Sequence, residues 1–192
     1  MSRIVSFRQM KDGTKEDYEL LDEAEKKYAL GLADRVLESL GHLDHSLEGY
    51  PVSRLGHSLQ AATRALRDEA DEELVVAALL HDIGDELAPY NHAELAAAIL
   101  RPYVRPEVTW IVAQHGLFQN YYYVHHFGGD RNARERLRDH PWYGACVHFC
   151  AAWDQSSFDP DYRSEPLATF EPMVRRIFAR TPHDPRYMAA GG

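Results

Sequence analysis

The chain has 192 residues, 45% of them hydrophobic and 27% charged, a balance that predicts one ordinary globular domain with a buried core. Acidic residues outnumber basic ones by 30 to 21, and the resulting net charge of −9 argues against a nucleic-acid surface, which carries a basic patch. No apolar run approaches the roughly 20 residues that span a bilayer, and the opening MSRIVSFRQM lacks a signal-peptide core, so the expectation is a cytoplasmic location without a membrane partner.

Helix is expected nearly throughout. Thr14 with Asp17 has the form of a capping box and opens a long segment to about Leu40, ended by Gly41. A second helix begins near Pro51 to Ser53 and runs through SRLGHSLQAATRALRDEA. The third, DEELVVAALLHDIG, is apolar almost all round at Leu74–Leu80, the pattern of a buried central helix. Asn91 with Glu94 forms a capping pair for HAELAAAILR, which stops before Pro102. Pro106 suits the first turn of PEVTWIVAQHGLF, and Pro141 that of PWYGACVHFCAAWDQ. Glu171-Pro172 begins a last helix ending near Arg180, and the tail from residue 182 is expected to be mobile. The best strand signal, Tyr121–Val124, is too short to build a sheet. The expectation is one all-α domain over residues 1–192, with its core at about 51–180 and an N-terminal helix at about 14–40. Cys146 and Cys150, spaced i,i+4, read as small core side chains, because that spacing suits neither a disulfide nor a structural zinc set.

AALLHDIGD poses the functional question. A histidine and an aspartate stand together after an apolar run, where an unpaired polar group loses its water at considerable cost. Other chemistry-bearing residues fall on neighbouring predicted helices: His57 within the second, His92 opening the fourth, His115 late in the fifth and Asp154 ending the sixth. Imidazole and carboxylate without thiolate suit divalent iron, manganese, cobalt or zinc. Neighbouring helical residues face about 100° apart, so His81 and Asp82 chelate one ion poorly from a regular turn. At a helix end that Gly84 allows to distort, His81 can hold one ion while Asp82 bridges to a second.

The ordered pattern His57…His81-Asp82…Asp154 resembles the HD-domain superfamily, an all-α fold of metal-dependent phosphohydrolases, with His92 and His115 at the extra positions of its two-metal members. Around His57, PVSRLGHSLQAA is similar to the phosphonate-cleaving HD oxygenases, which share a mixed-valent di-iron centre with myo-inositol oxygenase. The resemblance implies metal ligands at His57, His81, Asp82, His92, His115 and Asp154, two divalent ions (iron first; manganese, cobalt or zinc as alternatives), and dioxygen as a partner beside a small-molecule substrate. Two-metal HD phosphodiesterases share the same ligand order, so a phosphohydrolase stands as the alternative, and a metal-stabilised binding or sensor domain as a third.

The departures from that family concern charge. Asp85 follows HDIG where many HD hydrolases have a cation, and Gln119 and Ala151 stand where the phosphonate oxygenases have Lys and Arg. Tyr50 replaces their lid glutamate. The anion-binding shell thus reads as dismantled, although Arg54, Arg131 or Arg134 can still reach the pocket from elsewhere, and a neutral polyol, amine or amino alcohol is the expected substrate. Asp82, Asp85 and Gln119 are the catalytic candidates; Tyr50, Arg54, Gln114, Tyr122 and His125 are the substrate-binding ones. The stretch QNYYYVHHFGGD offers a lid, with Gly128 and Gly129 as hinge, or simply an aromatic-rich loop.

Overall fold

A computed structural model describes residues 4–188, and every regular element among them is helical. The main helices are α1 (Lys15–Leu30), α2 (Leu32–His42), α3 (Arg54–Arg67), α4 (Glu72–Leu80), α5 (His92–Leu100), α6 (Pro106–Tyr123), α7 (Tyr143–His148), α8 (Leu167–Phe178) and the short α9 (Pro185–Met188). The chain of α7 continues without a break into a π-helical segment, Phe149–Asp154. None of these helices is long and apolar enough to cross a membrane.

Local chemistry sets most of the boundaries. Thr14 and Asp17 form the expected capping box, with Thr14 N–H donating to Asp17 Oδ2 at 3.0 Å and Asp17 N–H to Thr14 Oγ1 at 3.2 Å. Ser53 and Asp71 cap α3 and α4 by accepting from the N–H groups of Gly56 and Leu74. Pro106 occupies the first turn of α6, where its missing N–H costs no helical bond. α4 lies at the centre, with Val75 through Leu80 all buried; α3 packs along it, and α6, α8 and the π-helical segment also touch it. Cys146 and Cys150 are both buried and free, directing their thiols at the carbonyls of Ile111 and His115.

Several expectations are corrected. The long first helix breaks at Gly31, not Gly41: Gly31 donates back to Tyr28 O and ends α1, whereas Gly41 is held inside α2 next to the buried Leu40. Asn91 makes no side-chain capping bond. The last long helix begins at Leu167, so Pro172 lies inside it rather than at its start; packing of Phe170, Val174, Ile177 and Phe178 outweighs the one lost backbone bond. Tyr121–Tyr123 is the final turn of α6 and neither strand nor loop. His183 N–H donates to Pro102 O at 2.7 Å and Arg180 stacks on Tyr187 at 3.9 Å, so the tail is tied to the body as far as Met188; its last four residues lie outside the described ones.

Candidate metal centre

α3, α4, α5, α6 and the π-helical segment converge on one buried point, each contributing polar side chains through an otherwise apolar wall. His57 projects from α3; His81 ends α4 with Asp82 beside it; His92 opens α5; His115 lies within α6; and Asp154 closes the π-helical segment. All are buried except the His92 side chain, which is 25% exposed. A π-helical turn is a rare distortion that often marks a functional site, and here it precedes Asp154.

The donor atoms form two groups around Asp82. In the first, His57 Nε2 and His81 Nε2 are 3.0 Å apart, Asp82 Oδ2 is 3.3 and 3.2 Å from them, and Asp154 Oδ1 is 3.3 and 3.6 Å from them. In the second, His92 Nε2 and His115 Nε2 are 3.3 Å apart, with Asp82 Oδ1 at 3.4 and 3.3 Å. Donors about 2.0–2.1 Å from a shared ion stand about 3.0–3.4 Å from one another in octahedral or tetrahedral geometry. The observed spacings therefore suit two ions sharing the Asp82 carboxylate.

The outward ring nitrogens strengthen this fit. His57 Nδ1 lies 3.0 Å from Ser157 O, His81 Nδ1 2.8 Å from Ala78 O, and His115 Nδ1 2.7 Å from Val112 O. A carbonyl oxygen only accepts, so each Nδ1 carries the proton, and in the neutral ring the Nε2 lone pairs point at one another. Such an arrangement is repulsive without a cation between them. Asp154 Oδ2 is likewise buried and has no hydrogen-bond partner among the described residues.

Without an ion, protons substitute. Burial by itself lowers the pKa of His57 and His81, but hydrogen bonds and charge from Asp82 and Asp154 outweigh it and raise His81 well above the ordinary histidine value, His57 less so. Burial also pushes the two carboxylates up, yet the facing imidazoles hold Asp82 and Asp154 below the usual range. The histidine contribution to stability is complete below about pH 6.5 and is lost as pH rises through the raised values; the carboxylate contribution is complete above about pH 3.9 and is lost as pH falls through the lowered ones. Metal-free protein is therefore expected to be most stable between about pH 4 and 6.5. Metal binding needs neutral imidazoles and releases their protons. The rise in melting temperature on adding Mn2+ is thus expected to grow from about pH 6 to 8; thermal scans at paired pH values check this, and a pH-independent increment contradicts it.

A second layer surrounds the donors. Arg54, one turn ahead of His57 on the same buried face, donates through Nη2 to Asp82 Oδ2 and through Nε to Asp85 Oδ2 at 2.7 Å. Of the three arginines left able to reach the pocket, Arg54 is the one whose guanidinium touches the shared carboxylate. The reading of Asp85 as a free repelling charge is corrected, because Asp85 is paired. Phe158 stacks on His57 with ring centres 4.4 Å apart, and Tyr50 stacks on Phe158 at 5.1 Å.

The remaining predicted positions diverge. Tyr122, whose pKa is raised by burial and then by Cys150, lies towards Cys150 and Arg134; Tyr123 instead stands close enough to Tyr50 and Asp154 for their charges to raise its pKa beyond the effect of burial. Gln114 and Gln119 flank His115 on α6, half-buried, and neither amide hydrogen-bonds another described residue. His125 is exposed and packs beside His126 at 4.1 Å. Arg131 and Arg134 stack on Tyr121 at 4.4 and 3.8 Å and are not among the groups gathered around Asp82. A surface cavity of about 400 Å³ is lined by the loop from Asp44 to Ser53, Tyr50 included, but by none of the metal-ligand candidates. Sequence reasoning missed Ser157 and Phe158; the signal was their position one turn beyond Asp154, where the chain must fold back over His57.

Comparison with known proteins supplies the family. The sequence model of the HD domain matches residues 43–141. A curated relative, [1-hydroxy-2-(trimethylamino)ethyl]phosphonate dioxygenase (glycine-betaine-forming) from Leisingera caerulea, is 33% identical over 89 residues, covering 41% of this chain. The matched region spans 45% of that relative, less than half its length. With the HD-domain match extending over more than half of the chain and His81-Asp82 at the meeting point of its helices, the protein belongs to the HD-domain family.

Proposed function

We propose that this chain is a two-metal HD-domain enzyme, a non-haem di-iron oxygenase that cleaves a C–C or C–heteroatom bond of a small hydroxylated or amine-bearing substrate. The observation that carries the reading is the pair of donor groups sharing Asp82, one with four protein donors and the other with three. The three-donor position keeps more room for substrate or dioxygen. The similarity is to a dioxygenase whose named substrate is a phosphonate that also bears a hydroxyl and a trimethylamino group, and the last two features support a hydroxylated or amine-bearing substrate here. Bound iron would supply dioxygen activation and would polarise a substrate hydroxyl or amine.

The chain's own residues have separable tasks in this reading. Asp82 would offer one oxygen to each position, and the backbone carbonyls of Ser157, Ala78 and Val112 keep three imidazoles in the ligating tautomer. Phe158 and Tyr50 cover His57 and keep water from that side. Tyr123, whose pKa is raised by burial and then by Tyr50 and Asp154, would offer a phenol to substrate. A phosphohydrolase is the second reading, and Arg54 is the observation that favours it, since a guanidinium beside the shared carboxylate is suited to a phosphoryl oxygen.

Anaerobically iron-loaded protein, mixed with amino alcohols or polyols and then with oxygenated buffer, is expected to consume oxygen in a substrate-dependent manner. Phosphate release from phosphomonoesters or nucleotides without oxygen uptake would overturn the oxygenase reading in favour of the hydrolase.

A further inference from the structure

Four imidazoles point Nε2 inwards, and three of them are fixed from behind by the backbone. His92 is held the most loosely of the four. The carbonyl three residues before it, Pro89 O, lies at 3.5 Å, against 2.7–3.0 Å for the other three. The reason is positional: His92 is the first residue of α5, so Pro89 falls outside the helix and its carbonyl is not drawn into the turn as those of Ala78 and Val112 are. A carboxylate oxygen, Asp85 Oδ1, also approaches His92 Nδ1, at 3.3 Å, as a charge contact beside the long hydrogen bond to Pro89 O. Asp85 is itself immobilised. Its N–H donates to Asp82 O at 2.9 Å, and its Oδ2 accepts from Arg54 Nε at 2.7 Å with Nη2 at 2.6 Å.

We infer that Asp85 is a positioning residue that orients His92 and thereby sets the affinity of the second metal position. This rests on the two-metal reading above. The chain His92–Asp85–Arg54–Asp82 closes a loop through the shared carboxylate, so the least buried ligand candidate is braced against a buried one. A carboxylate behind an imidazole fixes its tautomer and makes its inner nitrogen a stronger donor. The position with three protein donors has the fewest contacts to lose, so the effect falls there.

The test uses Mn2+ and the full chain, with affinities from calorimetric titration and coupling from electron paramagnetic resonance. The unaltered protein is expected to bind two Mn2+ with an exchange-coupled signal. In Asp85→Ala the second Mn2+ is expected to weaken roughly 10–100-fold, a range typical of lost outer partners of a metal ligand, while the first stays within about threefold. Coupling then gives way to the signal of isolated Mn2+. Asp85→Asn keeps an acceptor oxygen for His92 and is expected to recover much of the second affinity. Two Mn2+ bound to Asp85→Ala with unchanged affinities would overturn the inference, and so would equal weakening of both positions. His92→Ala separates the two levels: if it still binds two Mn2+ like the unaltered protein, the two-metal reading itself fails.

Discussion

Asp82→Asn is expected to reduce metal content from two ions to one or none and to lower turnover more than roughly 100-fold, beyond the range for loss of an outer partner. Asparagine keeps the shape but withdraws the charge on which both donor groups depend: Oδ2 faces His57 and His81, while Oδ1 faces His92 and His115. No other candidate touches both groups. The metal-free protein should suffer too, because Arg54 is buried against Asp82 and a broken buried ion pair costs about 3–5 kcal/mol. Asp85 retains part of that pairing, which places the expected loss towards the lower end. Metal analysis after gel filtration, oxygen uptake and a urea titration without metal measure the three effects. Full metal content in the variant would remove Asp82 from its central role.

Gly84→Ala is the other substitution with a large expected effect, and its cause is space. A Cβ on Gly84 would stand 2.6 Å from His92 O and 2.9 Å from His92 Cα, too close to backbone for any rotamer change to relieve. The first turn of α5 must move away, carrying His92 from Asp82. We expect a destabilisation of about 1–3 kcal/mol, as for other overpacked interiors, with selective loss of the second metal. Urea titration and Mn2+ stoichiometry measure these, and wild-type stability with two Mn2+ bound would contradict the account. The glycine of HDIG thus serves close approach: its φ lies outside the left-handed region, so the distortion expected at this turn is not what requires it.

Much of this architecture was legible because it is written in local chemistry. Thr14, Ser53, Asp71 and Pro106 act at helix starts through their own side chains, and the apolar run before His81 can only be a buried helix. The errors came where packing overrides local preference. Gly41 and Pro172 look like boundaries, yet each is carried inside a helix whose neighbours are buried in the core. The gathering of His57, His81, Asp82, His92, His115 and Asp154 was visible because they fall on five largely apolar elements, where a polar residue needs a partner. Their supports were not visible. Ser157 and Phe158 meet His57 across 100 residues or so of chain, and the pairing of Arg54 with Asp85 spans 31 residues between separate elements. Reading Asp85 as an isolated negative charge therefore gave the wrong picture of the centre, although both residues had been singled out.

The central claim is that one carboxylate joins two metal positions. Electron paramagnetic resonance on anaerobically iron-loaded, partially oxidised protein tests it most directly. The account predicts a coupled mixed-valent signal from two bridged irons, lost in Asp82→Asn. Isolated ferric iron alone, at one ion per chain under saturating iron, would contradict it.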